Sequence, residues 1–162
     1  MQLDTTQIET GNARLLYKEV FGELDLLQLH IQEIEKMIIE SAELDLANEW
    51  VYLYFFSSPK KSDLLDQGFW IGREIIGMPN EDQLSSDLEV FDSDAGEALR
   101  IELDAWEMNL EKWRDAYQHG IQELEKLGVK KANVWRIGFG DFIDEKGMSR
   151  KAVLDLFFAE SF

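Results

Sequence analysis

Apolar residues recur at intervals of three and four from Leu16 onward, through Val20, Leu24, Leu27, Ile31, Ile34 and Ile38. That spacing draws one stripe and predicts a helix from Asn12 to about Glu43, with Asn12 as its N-cap. Glu23 falls close to the stripe and follows Gly22, which allows a break or kink there. Glu33, Lys36, Glu40 and Glu43 take the opposite side, toward water. Trp50 to Ser57 is rich in aromatic and β-branched residues and predicts a buried strand. A turn or loop follows at Ser58-Pro59-Lys60-Lys61-Ser62-Asp63, then a second strand from Gly68 to Ile76, closed by Pro79.

Leu88 to Leu103 supports two readings. One is a hairpin, LEVF and ALRIEL around a turn at Ser93-Asp94-Ala95-Gly96; the other is a helix from Asp94, with Glu97 completing a capping box. A helix starting between Asp94 and Asp104 is favoured. Leu99, Leu103, Trp106, Leu110, Trp113 and Tyr117 keep the three–four spacing, Ile121 and Leu124 continue it, and Gly128 is a natural stop. Val134 to Ile143 is strand-like, thinned by Gly138 and Gly140, and Ala152 to Phe158 is a last strand after the turn Asp144-Glu145-Lys146-Gly147. No internal repeat or linker divides the chain. The expected fold is α+β, with two long helices packed on one face of a mostly antiparallel sheet of four to six strands, in a single domain over residues 1–162.

Composition sets bounds on this picture. With 162 residues, 45 % of them apolar, the chain can fill a core. Met1 to Gly11 carries no basic residue and no long apolar run, so no signal peptide is expected. The longest strongly apolar run, Trp50 to Phe56, falls far short of the about 20 residues of a spanning helix. The absence of cysteine excludes disulfides, zinc–thiolate sites and cysteine nucleophiles. The expected location is the cytoplasm.

Charge changes the picture most. The chain holds 33 acids against 16 bases, a net charge of −17. Residues 1–49 carry −8 and residues 80–127 carry −10, whereas 50–79 are neutral and 128–162 carry +1. The acidity therefore belongs to the predicted helices and the loop before the second. On a helix at roughly 100° per residue, Glu97, Asp104, Glu107, Glu111, Asp115 and Glu125 share a sector roughly 120° from the Leu99–Trp106–Trp113 seam. The like-charge pairs Glu107–Glu111 and Glu111–Asp115 each cost roughly 0.2–0.5 kcal/mol. Such a face either keeps the protein dissolved or awaits a basic partner. Nucleic acid and anionic membranes are excluded as unaided partners, because their phosphates would be repelled.

Chemistry is sparse. His30 and His119 have no companions at metal-ligand spacing, so no metal site is expected. Asp92 to Glu97 resembles a calcium loop, but its glycine comes one position early and position twelve is Leu103. Gly138-Phe139-Gly140 lacks the third glycine of a dinucleotide loop and reads as a thin strand or bulge. Core packing is the default for Trp50, Trp70, Trp106, Trp113 and Trp135, with a ligand-stacking platform as the alternative. No catalytic residue and no cofactor are expected, and the chain reads as a binding protein.

The segment from Asn48-Glu49-Trp50-Val51-Tyr52-Leu53-Tyr54, the acidic helix, Trp135-Arg136-Ile137-Gly138-Phe139, the Gly147 turn and Leu154-Asp155-Leu156-Phe157-Phe158 together resemble the YezG-like family of small bacterial immunity (antitoxin) proteins. The likeness spans roughly Asn48 to Phe158. It departs from the family in the longer Asn80–Asp94 insert and the turn around Met148-Ser149-Arg150. The resemblance implies neutralisation of a toxin, often a nuclease, whose cationic surface an acidic protein would cover. The expected partner-binding residues are Asp104, Glu107, Glu111 and Asp115, with Asp87, Glu89, Asp92 and Asp94 in support. The alternatives are a DNA mimic directed at a DNA-binding protein, a carboxylate-based enzyme, and a subunit whose acidity serves solubility alone. The oligomeric state stays open.

Overall fold

A computed structural model describes residues 3–22, 26–59, 68–85, 87–103, 110–143 and 149–159. The elements in chain order are β1 (Thr5–Thr10), β2 (Ala13–Val20), α1 (Leu27–Glu40), β3 (Asp45–Phe55), β4 (Phe69–Ile76), a short 3-10 turn (Glu81–Gln83), β5 (Leu88–Ser93), β6 (Gly96–Leu103), α2 (Leu110–Leu127), β7 (Lys131–Ile143) and β8 (Ser149–Phe158). The strands form one sheet in the order β1-β6-β8-β7-β3-β4-β2-β5, with all seven neighbouring pairs antiparallel.

This overturns the expectation of two long helices on four to six strands. The sheet has eight strands, and the helices are 14 and 18 residues long. Both errors have one cause. An interval of four is also two strand pleats, so Leu16 and Val20 lie on one face of β2, and Leu99 and Leu103 on one face of β6. Their intervals run without a break into the stripes of α1 and α2. Leu15 and Tyr17 are buried as well, on the opposite face of β2, so no alternation marks the strand. Neither reading of Leu88 to Leu103 holds. Both segments are strands, but β5 pairs with β2 while β6 pairs with β1 and β8. Asn12 caps no helix; its Oδ1 accepts from the Ala95 amide at 2.7 Å.

The topology repeats even though the sequence does not. Two consecutive ββαββ halves, β1 to β4 and β5 to β8, exchange their first strands: β1 joins β6 and β5 joins β2. Renaming each strand by its counterpart reverses the sheet order onto itself. A pseudo-two-fold axis therefore passes between β3 and β7, the central pair.

Strand pleating assigns the side chains to two faces. Val51, Leu53 and Phe55 of β3, Trp135, Ile137 and Phe139 of β7, and Leu154 and Leu156 of β8 pack with Leu27, Ile31, Ile34 and Ile38 of α1 and with Trp113, Ala116, Tyr117 and Leu124 of α2. Both helices thus cover one face. Gly128, with a positive φ of 69°, ends α2. The other face carries Leu15, Tyr17, Tyr52, Tyr54, Ala98 and Phe157, with Trp50, Trp70 and Phe91 against them, and among the described residues none from a helix joins this cluster. None of the described helices is long and apolar enough to cross a membrane.

Leu53 is fully buried on the central strand under the helices. Leu53→Ala is expected to lower unfolding stability by about 2–5 kcal/mol, read from urea denaturation curves with an unchanged slope.

Candidate functional site

The face opposite α1 and α2 bears a cleft of about 580 Å³. Its floor is set by strand register. β6, β8 and β7 lie side by side, so Arg100 stands beside Asp155, and Asp155 beside Arg136; across the axis Arg136 stands beside Tyr54. All four side chains project from the same face.

Asp155 is fully buried. Its Oδ1 accepts from Arg100 Nε at 2.8 Å, and its Oδ2 from Arg100 Nη2 at 3.0 Å and Arg136 Nε at 2.8 Å. The contact with Arg100 is bidentate, the strong form of such a pair. Burial by itself would raise the Asp155 pKa; Arg136 and Arg100 more than offset it and hold the carboxyl below its ordinary value. Arg136 Nη1 also donates to the Tyr54 hydroxyl at 2.9 Å and lies 4.0 Å from Glu74 Oε2. Glu74 is held at its other oxygen by Asn48 Nδ2, at 2.8 Å.

Aromatic rings surround these charges. The Arg136 guanidinium lies 4.0 Å from the centre of the Tyr52 ring, 5.1 Å from Phe157 and 5.8 Å from Tyr54. Arg100 lies 5.5 Å from the centre of the Trp50 ring. Such cation–ring contacts gain strength when water is excluded. Burial pushes the Tyr52 and Tyr54 hydroxyls above the ordinary phenol range, so both stay neutral. Tyr52 is flanked across the sheet by Gly72 and Gly138. At Gly138 a Cβ would stand 3.0 Å from Tyr52 Cε1 and 3.2 Å from Trp50 Cε3, so the glycine gives both rings room to lie over the strand.

The residues expected from the sequence to bind a partner are spread over several elements. Asp115 is exposed on α2, Asp87 precedes β5, Glu89 and Asp92 are on β5, and Asp94 is in the following turn. Glu89 accepts from the Tyr17 hydroxyl at 2.7 Å, and Asp92 pairs with Arg14 at 2.7 Å. Asp104 and Glu107 lie outside the described residues, as does the Glu111 side chain. Glu97, placed in the same helical sector by the sequence, is on β6. His30 is buried on α1. Trp113 and Trp135 are core residues, whereas Trp50 and Trp70 are half-buried on the open face; Trp106 lies outside the described residues. Among the described residues no three potential ligands gather to hold a metal ion.

Sequence reasoning missed Arg100, Arg136, Asp155 and Glu74. Their signal was present: a lone arginine inside VWRIGF and a lone aspartate inside VLDLFF must either pair or be exposed.

Asp155→Asn would leave two arginines beside a neutral amide. It is expected to cost about 3–5 kcal/mol at neutral pH in urea denaturation. Because the folded pKa is depressed, the contribution of Asp155 is complete above the unfolded value of about 3.9 and is lost as pH falls through the folded value. The gap between wild type and variant is therefore expected to narrow below about pH 4.

In sequence the chain matches no protein-family description and no curated protein. Solved structures share its fold. The EcmrR C-terminal domain is similar with a TM-score of 0.72 at 14 % identity, covering 98 % of each chain. In the EcmrR–DNA complex this chain spans 57 % of the EcmrR polypeptide. A hydrolase encoded by lin2189 from Listeria innocua is similar with a TM-score of 0.65 at 13 % identity, covering 95 % of this chain and 91 % of that one. SAV2435 bound to tetraphenylphosphonium is similar with a TM-score of 0.54 at 12 % identity, covering 98 % and 94 %. At these identities the likeness is one of fold.

Proposed function

We propose that the chain is a small-molecule receptor whose ligand, an aromatic organic compound, binds in the cleft on the face opposite α1 and α2. The observation that carries this reading is the aromatic lining. Trp50, Tyr52, Tyr54 and Phe157 converge on a cleft of about 580 Å³ over a hydrogen-bonded charge network. That combination of apolar walls with a few fixed polar groups is typical of small-molecule sites of roughly 300–1,000 Å³. The bound tetraphenylphosphonium of SAV2435 supports the reading, since it is an aromatic organic ligand on the same fold. In the EcmrR–DNA complex the same fold is part of a longer DNA-bound chain, which supports a receptor that works joined to a DNA-binding segment. A serine or cysteine nucleophile paired with a histidine is not found among the described lining residues. The cleft's one described serine, Ser93, donates to the Ala13 carbonyl at 3.4 Å, and no described histidine or cysteine lines the cleft.

A ligand at 100 times its Kd should stabilise the fold by about 2.7 kcal/mol, visible as a rise in Tm. In a thermal-shift screen of aromatic compounds, hits are expected to lose their effect in Gly138→Val, whose side chain displaces the Tyr52 and Trp50 rings. Hits that stabilise the variant and the wild type equally would place the ligand elsewhere.

A second proposal keeps the acidic surface as a docking face for a basic protein, in the manner of an immunity protein. It is favoured by the exposure of Asp87, Asp94 and Asp115, whose carboxylates have no hydrogen-bond or ion-pair partner among the described residues. Changing Asp87 and Asp115, which lie outside the cleft, to Lys is expected to weaken low-salt capture of such a partner and leave ligand-induced stabilisation intact. Equal capture by both proteins would count against this proposal.

A further inference from the structure

The cleft contains its own cation. Arg136 occupies the space between Tyr52, Tyr54 and Phe157, within 4.0 Å of the Tyr52 ring centre, and draws on both nearby carboxylates, Asp155 and Glu74. Ring faces and a buried carboxylate are the groups that would receive an organic cation. Here the guanidinium of the chain itself already engages them. Asp155 carries a second guanidinium, so the Arg100–Asp155–Arg136 cluster has one positive charge in excess.

Arg100 offers the cleft an unengaged guanidinium donor. Its Nε and Nη2 are bound to Asp155, its side chain is 20 % exposed, and Nη1 has no hydrogen-bond partner among the described residues. It also lies over the Trp50 ring, so an acceptor bound to Nη1 would have its attached aromatic body beside that ring. Glu74 cancels that excess in the wider cluster, but its oxygens are engaged by Asn48 and Arg136, not by Arg100. Glu9 and Asp94 line the cleft at β1 and the β5–β6 turn. Charges farther away are screened over about 8 Å at physiological ionic strength, which leaves the choice of ligand to the groups in contact.

We infer that this cleft selects an aromatic carboxylate over an organic cation, with Arg100 receiving the carboxylate and Arg136 filling the seat a cation would need. The inference rests on the proposed receptor function and specifies its ligand class.

Three probes test it by isothermal titration calorimetry at physiological ionic strength: naphthoate, its neutral amide and tetraphenylphosphonium. Wild type is expected to bind naphthoate most tightly, the amide less well and tetraphenylphosphonium not measurably. Arg100→Gln should weaken naphthoate roughly tenfold to hundredfold and leave the amide nearly unchanged. Arg136→Met keeps Asp155 paired with Arg100 and is expected to gain tetraphenylphosphonium binding. Circular dichroism checks the fold of both variants; if Arg136→Met does not fold, the wild-type ranking and Arg100→Gln decide. Preference of wild type for tetraphenylphosphonium, or naphthoate binding indifferent to Arg100→Gln, overturns the inference and leaves the cleft a receptor. No binding of any probe overturns both.

Discussion

A carboxylate with no exposure to water, held between two guanidinium groups, is the constraint around which the open face is built. Asp155 ties β6, β8 and β7 together at one register position. A one-residue slip of either neighbour would turn its arginine into the apolar helical face and strip the carboxylate of one of its two partners, at a cost of several kcal/mol. Well-packed apolar residues could fill the same volume at equal or better stability. The network therefore contributes specificity of pairing and a fixed charge geometry rather than net stability. Arg136 in turn fixes Tyr54 by a hydrogen bond and Tyr52 by stacking, so the walls of the cleft are set by the same residue that closes its floor.

Legibility in the sequence followed the number of buried faces. The strands Phe69–Ile76 and Ser149–Phe158 were readable because short aromatic and β-branched runs end at clear turn signals. The stop of α2 at Gly128 was readable because few residues other than glycine adopt a positive φ there. β2 and β6 were not. They are counterparts in the two halves, each a strand leading into a helix whose stripe continues its four-residue interval. The missing information was partnership. β2 is buried on both faces only because β5 of the other half lies beside it and aromatics cover its open side.

The site was hidden for a related reason. Its members are 55, 19 and 82 residues apart along the chain at the Arg100–Asp155, Arg136–Asp155 and Arg136–Tyr54 bonds, so no local motif could join them. Charge counting pointed away from it, because a locally balanced cluster contributes little to a net −17. Surface acids dominate such a count, yet only a pair that must be buried constrains the fold.

The duplicated topology shows where the site came from in physical terms. In the first half the row across β2, β4 and β3 reads Tyr17, Gly72, Tyr52; in the second the row across β6, β8 and β7 reads Arg100, Asp155, Arg136. Both rows face the same open side, one aromatic and uncharged, the other ionic. A Cβ at Gly72 would meet Tyr17 Cβ at 2.9 Å, and the absence of one at Gly138 lets Tyr52 lie beneath the guanidinium of Arg136 from across the axis. A symmetric pair of aromatic rows would make an apolar groove with no fixed charge, and a symmetric pair of ionic rows would crowd four arginines around two carboxylates. One row of each kind supplies ring faces and directed donors within a single cleft, so the difference between the halves, more than the fold they share, determines what the cleft can recognise.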